Sequence, residues 1–194
     1  MSKPAVDGRI RRGEENRRRI SEAFLELIRS GVPSPTAELV AEKAGVGLRS
    51  VFRHFEDMET LYREIADAIE AEVEPIWAVP FTATTWQGRL AEMIERRARV
   101  FERITPFRMA SLVHRSESAF ISQRHARFAI EQRHLLIAAL PPHVLKDAAA
   151  VDALDLVFSV DSWLRLRREQ KLSVAAAKAA IARTASALTG ETIA

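Results

Sequence analysis

The stretch Thr36-Ala-Glu-Leu-Val-Ala-Glu-Lys-Ala-Gly-Val-Gly-Leu-Arg-Ser-Val-Phe-Arg-His-Phe55 decides how the chain is read. Ala37, Val40, Ala41 and Ala44 recur at i, i+3, i+4, i+7, the spacing of one helical face. Small residues dominate that face, so a second helix can approach closely. Gly45 supplies the positive φ that a short interhelical turn needs, and Val46 plugs the corner. Beyond Gly47, a second pattern at about 100° per residue puts Val51 and Phe55 on one side and Arg49, Ser50 and Arg53 on the other. Guanidinium is a planar fork of donors that matches O6 and N7 of guanine and also grips phosphate. The expectation is a helix-turn-helix whose second helix enters the major groove of duplex DNA, with His54 flanking that face beside a phosphate.

Upstream, residues 1–13 place Arg9, Arg11 and Arg12 among Pro4, Gly8 and Gly13 without periodicity. They read as a flexible basic arm whose Arg11 and Arg12 reach phosphate or the minor groove. From Glu14 a helix follows, with Ile20, Ala23, Phe24, Leu27 and Ile28 as its buried stripe and Gly31 as its stop. Ser34 and Pro35 read as N-cap and first-turn proline of the next helix. That leaves N–H groups around Thr36 and Ala37 for a phosphate, with Thr36 as the side-chain donor. Downstream, Asp57 caps a long helix with Leu61, Ile65, Ile69 and Val73 along one side, ended by Pro75. The expected organisation is an arm over 1–13, a DNA-binding domain over 14–56 and a helical body over 57–194, in which 57–74 is a linking helix.

From Glu14 to Ile65 the chain resembles the DNA-binding domain of the tetracycline-repressor (TetR) family. The resemblance is carried by Glu-Leu-Val-Ala-Glu-Lys-Ala-Gly-Val-Gly from Glu38 and Ser-Val-Phe-Arg-His-Phe-Glu-Asp-Met-Glu-Thr-Leu from Ser50. It implies an all-α protein, with an N-terminal three-helix helix-turn-helix DNA-binding domain followed by a helical ligand-binding and dimerisation domain. It also implies that Gly47 and Phe52 occupy DNA-contact positions. Three departures matter. Gly47 stands where the family usually has serine or threonine, Phe52 where it often has tyrosine, and Met58 where lysine is common. Each deletes a phosphate contact, so Arg49, Arg53 and the arm are expected to supply the charge instead.

Composition limits the alternatives. Of 194 residues 47% are apolar, which excludes a wholly disordered chain and leaves room for a real core. Cysteine is absent, so there is neither a disulfide framework nor a thiolate metal site, as suits a reducing cytoplasm. No apolar run approaches the ~18 residues of a membrane span, and the arginine-rich start lacks a signal-peptide core. The chain is therefore expected to be cytoplasmic. The net charge of +3 says little, but residues 1–53 hold eleven Lys or Arg against seven acids, whereas 56–74 hold eight acids and one arginine. A basic edge beside an acidic stretch orients the molecule toward a polyanion.

Between Pro75 and Thr85 an uncharged apolar loop is expected to lie against the body or over a cavity mouth. The rest reads as helices only: Thr85 to Ile104, Thr105–Pro106 to His114, Ser118 to Leu140, Asp147 to Gln170, and Ser173 to Leu188. Val174, Ala177, Ile181 and Leu188 line the alanine-rich last helix, and the helix before it, with Leu154, is apolar on more than one face. Covering both suggests a homodimer through a four-helix bundle, the arrangement the family resemblance also implies. The same resemblance implies a cavity for a small apolar or amphipathic effector, with Trp86, Phe101, Phe107, Met109, His114, Phe128, Phe158 and Trp163 as candidate lining. Signs of catalysis are thin. Glu131 and His134 form one Glu-x-x-His pair where di-iron chemistry requires two, and the histidines are not at metal-ligand spacing. There is no phosphate-binding glycine loop and no Gly-x-Ser-x-Gly, so neither an enzyme nor a cofactor is expected. The reading is a homodimeric repressor that binds a near-palindromic operator in double-stranded DNA. The alternatives are a helical small-molecule-binding protein that has lost operator binding and a helical enzyme.

Overall fold

The computed structural model describes residues 4–193, and the described residues are helical with connecting turns. Ten α-helices follow in order: α1 Pro4–Arg29, α2 Ala37–Ala44, α3 Leu48–His54, α4 Met58–Trp77, α5 Trp86–Val113, α6 Ala119–Ala139, α7 Pro142–Leu145, α8 Ala148–Val157, α9 Val160–Leu164 and α10 Val174–Thr189. A π-helical turn, Arg165–Glu169, extends α9. The chain divides into two compact units: residues up to 72 together with Pro106–Ile121, and Val73–Thr105 together with Ser122 onward. The division by packing falls within α4, in the segment that sequence reads as a linking helix, and groups the end of α5 with the first unit.

The first unit is built on the stripe of α1. Ile20, Phe24 and Ile28 are 0–2% exposed and Ala23 is buried beside them, while Leu27 is only half-buried. Each large aliphatic or aromatic side chain so buried contributes about 1.5–3 kcal/mol. Gly31, at φ 98°, ends the segment, and the N–H groups of Gly31 and Val32 close on the carbonyls of Ile28 and Leu27. The helix begins at Pro4, so most of the expected arm is helical, and residues 1–3 of it lie outside the described residues.

One cap differs from expectation and one agrees. Ser34 does not start α2. The N-cap is Thr36, whose hydroxyl oxygen accepts from the Leu39 N–H at 3.3 Å, while Ser34 Oγ pairs with His114 Nε2 at 3.1 Å. Asp57 does cap α4, accepting from the Thr60 N–H at 2.7 Å and the Thr60 hydroxyl at 2.9 Å. These bonds hold its carboxyl below the usual range.

Prolines break helices less than expected. Pro75 lies inside α4, which runs on to Trp77, and Pro106 lies inside an unbroken α5 rather than opening a new helix. At Pro106 the missing N–H is one bond in a helix of 28 residues, and the Thr105 hydroxyl adds a bond to the Phe101 carbonyl at 2.6 Å in the preceding turn. The single helix expected from Asp147 to Gln170 is instead α8, α9 and the π-helical turn. Ser159 caps α9 by accepting from the Ser162 N–H at 3.1 Å, which breaks the run after Phe158.

The second unit closes around Leu90, Val100, Phe101, Leu136, Leu154, Phe158, Trp163, Ala177 and Ala185, all at most 1% exposed. Arg97 runs through this core at 3% exposure. It donates to the carbonyl of Phe158 at 2.8 Å and that of Gln132 at 2.6 Å, so one guanidinium satisfies the carbonyl left over at the α8–α9 break and ties it to α6. Burial pushes its pKa down to about 10, opposed by the charge of Asp155, and it remains a cation at neutral pH. The apolar loop lies against α5, as expected. Arg96 donates to the carbonyls of Val79 and Pro80 and stacks on Phe81, and Glu92 accepts from the N–H groups of Thr82 and Ala83.

Candidate nucleic-acid interface

The hairpin of α2 and α3 forms as its spacing predicts. Ala37, Val40, Ala41 and Ala44 are buried on α2. Gly45 takes φ 62°, ψ 40° at its C-cap, and its N–H and that of Val46 close on Glu42 and Ala41. Val51 and Phe55 are each 1% exposed. Opposite them Arg49 and Arg53 are exposed, Ser50 is half-buried, and Arg53 reaches Ser50 Oγ at 3.5 Å. Gly47 is the N-cap of α3 and offers no side-chain bond, and a Cβ there would meet open space.

Several cations around the hairpin are ion-paired, but Arg49 and Arg53, like Arg11, Arg12 and Arg19, are not among the described residues. In the same unit Arg17 pairs with Glu64, Arg18 with Glu15 and Glu22, Arg29 with Glu72, Lys43 with Glu26 and Arg63 with Glu59. Among the described residues neither Arg49 nor Arg53 has a carboxylate partner. The neutralised cations brace the fold, whereas these two leave positive charge on the open face of a short helix. Arg11 and Arg12 are exposed on the third turn of α1.

Two arginines that sequence reasoning missed hold the hairpin in place. Arg19 Nη2 donates to the Ala44 carbonyl at the end of α2, and Arg17 Nη1 donates to the His54 carbonyl at the end of α3 at 3.0 Å. Arg17 also stacks over Phe55 at 4.6 Å and bonds Glu64 at 2.6 Å. Each guanidinium thus satisfies a C-terminal carbonyl of a helix too short to hold its own orientation. Their signal in sequence was the run Arg17-Arg18-Arg19 on a helix whose stripe faces the hairpin, but periodicity does not say which carbonyls such side chains reach.

Two positions expected to meet phosphate have their own surroundings in the fold. At the start of α2 the Glu38 carboxylate folds back onto its own N–H and takes the Thr36 hydroxyl, which holds it below its ordinary range. The Glu38 carboxylate thus lies beside the Thr36 hydroxyl in the first turn of α2. His54 does not point freely outward. Its Nε2 is buried without a hydrogen-bond partner, and a Cβ on Gly13 would be 3.8 Å from its Cε1. Burial, then the charges of Arg53 and Arg17, push its pKa below 6.5.

The aromatic residues suggested for an effector pocket fall in both units. In the second, Phe101 stacks edge-on with Phe128 at 6.4 Å and lies 6.3 Å from Trp163, whose indole N–H donates to Glu102 at 2.9 Å. Phe158 is in that core, and Trp86 packs against it from the edge beside His143. In the first unit, Phe107 and His114 lie 6.1 and 5.1 Å from the ring of Tyr62, which also meets Phe24. The Tyr62 hydroxyl is buried with no partner, and burial pushes its pKa up to about 12. Met109 is 41% exposed and belongs to neither core. Glu131 ion-pairs with Arg127 at 3.5 Å, and His134 is exposed.

The residues suggested for a dimer interface differ in how far one chain already covers them. Leu154, Ala177 and Ile181 are 0%, 0% and 6% exposed within one chain, and Val174 and Leu188 pack against the same core. Leu154, Ala177 and Ile181 face inward where α8 and α10 pack together, and Val174 and Leu188 stay half-exposed. The open side of α10 carries Ala175, Ala176, Ala179, Arg183 and Ala187, and α8 exposes Leu156 at 66%.

Comparison with protein-family models finds no match, and no curated protein matches either. Among solved structures the chain is similar to a TetR transcriptional regulator from Rhodococcus sp. RHA1, with a TM-score of 0.52 and 19% identity over 90% of this chain and 96% of that one. The likeness shows a shared fold, the all-α arrangement of a helix-turn-helix unit and a helical body. Among the described residues no helix is long and apolar enough to cross a membrane.

Proposed function

We propose that the protein is a homodimeric, sequence-specific DNA-binding transcriptional regulator, a repressor rather than an enzyme, working in the cytoplasm. One observation carries the reading: α3 turns Arg49 and Arg53 outward without carboxylate partners, on a helix that Arg17 braces from α1. Arg49 and Ser50 then read base edges, and Arg53, Arg11 and Arg12 hold the backbone. Dimerisation through the open side of α10 and Leu156 would set the two α3 helices about 34–36 Å apart on a near-palindrome. The orphan Tyr62 hydroxyl beside Phe107 and His114 supports a small amphipathic effector, since a buried polar atom of this kind is usually satisfied by water or ligand. A coupling of about 1–3 kcal/mol between effector and operator would change operator affinity roughly 5- to 150-fold.

The test is selection of bound sites from random-sequence duplex DNA with the purified protein. Enrichment of one near-palindrome supports the proposal. Recovery of unenriched DNA, bound only weakly at low salt, contradicts it.

A further inference from the structure

Besides its arginines, α3 carries an apolar edge. Leu48 and Phe52 are 38% and 51% exposed and stand four residues apart, hence on one side of the helix. At about 100° per residue the open arc runs from Leu48 and Phe52 through Arg49 and Arg53 to Ser50. The chain leaves both apolar side chains open to solvent, although each would gain by burial.

What covers them must suit two unpaired guanidinium groups on the same seven-residue helix. A protein partner of ordinary size occupies about 800 Å² per side, far more than two side chains offer. Lipid favours a longer amphipathic helix. Duplex DNA fits both features. Its phosphates and guanine edges complement the arginines, and the apolar group it presents in the major groove is the C5-methyl of thymine.

We infer that Leu48 and Phe52 read thymine methyl groups, so that each operator half-site places thymines beside the bases contacted by Arg49. The inference rests on the DNA-binding proposal and adds a base preference to it. Because the contact is apolar, it strengthens binding without steepening the salt dependence, unlike each phosphate contact of an arginine.

The experiment replaces single thymines of the enriched site by deoxyuridine, which removes the methyl and leaves base pairing intact. Wild-type affinity should fall about fourfold for each methyl that is read. Leu48→Ala and Phe52→Ala alter exposed side chains, and thermal melting verifies that both fold. Each should bind the thymine site more weakly and be indifferent to deoxyuridine at one position where wild type is sensitive. Arg49→Ala should keep the sensitivity. An enriched site on which wild type binds deoxyuridine as tightly as thymine, or on which the alanine variants stay as sensitive as wild type, overturns the inference and leaves DNA binding standing. Failure to enrich any site overturns the DNA-binding proposal, and the inference with it.

Discussion

A Cβ on residue 45 would lie 2.8 Å from Nη2 of Arg19, so Gly45 answers two demands at once. Its φ of 62° is a conformation that L side chains adopt at a cost of about 1–2 kcal/mol, and its missing side chain leaves room for the guanidinium on the end of α2. Gly45→Ala should therefore destabilise the first unit by about 2–3 kcal/mol, the strain plus about 1 kcal/mol for the displaced bond. In an Arg19→Ala background the second contribution vanishes, and urea denaturation should show the double variant about 1 kcal/mol more stable than the sum of the single losses. Strict additivity would mean that Arg19 and Gly45 do not meet.

Ile181 gives a prediction that sequence alone would have had backwards. Charge on the last helix looks like a way to split a dimer, but Ile181 is 6% exposed inside one chain. Ile181→Glu should cost about 3 kcal/mol or more and lower the melting temperature of the second unit before any effect on assembly is visible. Ala179→Glu, on the open side of α10, should fold normally and yield a monomer by light scattering. An Ile181→Glu protein that melts like wild type would remove Ile181 from the core. An Ala179→Glu dimer would remove that face from the interface.

His54 makes stability depend on pH. Its folded pKa lies below the unfolded value of 6.5, so the unfolded state binds a proton first. Its contribution is fully kept above pH 6.5 and is lost as pH falls below it toward the folded pKa. Between pH 7.5 and 5.5 wild type should lose more stability than His54→Gln, and the ring should titrate by NMR with a midpoint below 6.5. A midpoint above 6.5 would mean that His54 faces an anion rather than the packing beside Gly13.

The hairpin was legible because its signals are local. Ala37 to Ala44, Gly45, and the Val51–Phe55 pair each fix a position by spacing and backbone preference. The supports of α3 were not legible, since Arg17 and Arg19 act on carbonyls 37 and 25 residues away, a distance over which periodicity carries no information. Arg97 illustrates the same limit. Within an apolar helical pattern it reads as surface, yet the α8–α9 break left a buried carbonyl at Phe158 that needed a donor. That break did carry a local signal, Ser159 as an N-cap, hidden inside a continuous apolar run. For the proposed dimer residues, an apolar face shows that something covers it but not whether the cover is the same chain, and for Leu154, Ala177 and Ile181 much of the cover is. Pro75 was overread as a stop and Pro106 as a start, since a proline costs a long, packed helix one bond and not its continuity.

The central claim is that α3 meets DNA through Arg49 and Arg53, and it is tested most directly by measuring operator affinity of wild type and Arg49→Ala/Arg53→Ala across a salt series. Wild type should show a steep negative dependence of log affinity on log salt. The double variant should bind at least tenfold more weakly at every salt concentration, with a slope shallower by about 1 for each arginine that holds a phosphate and discrimination reduced for each that reads a base. A double variant with wild-type affinity and slope would contradict the account, leaving the fold intact and α3 off the DNA.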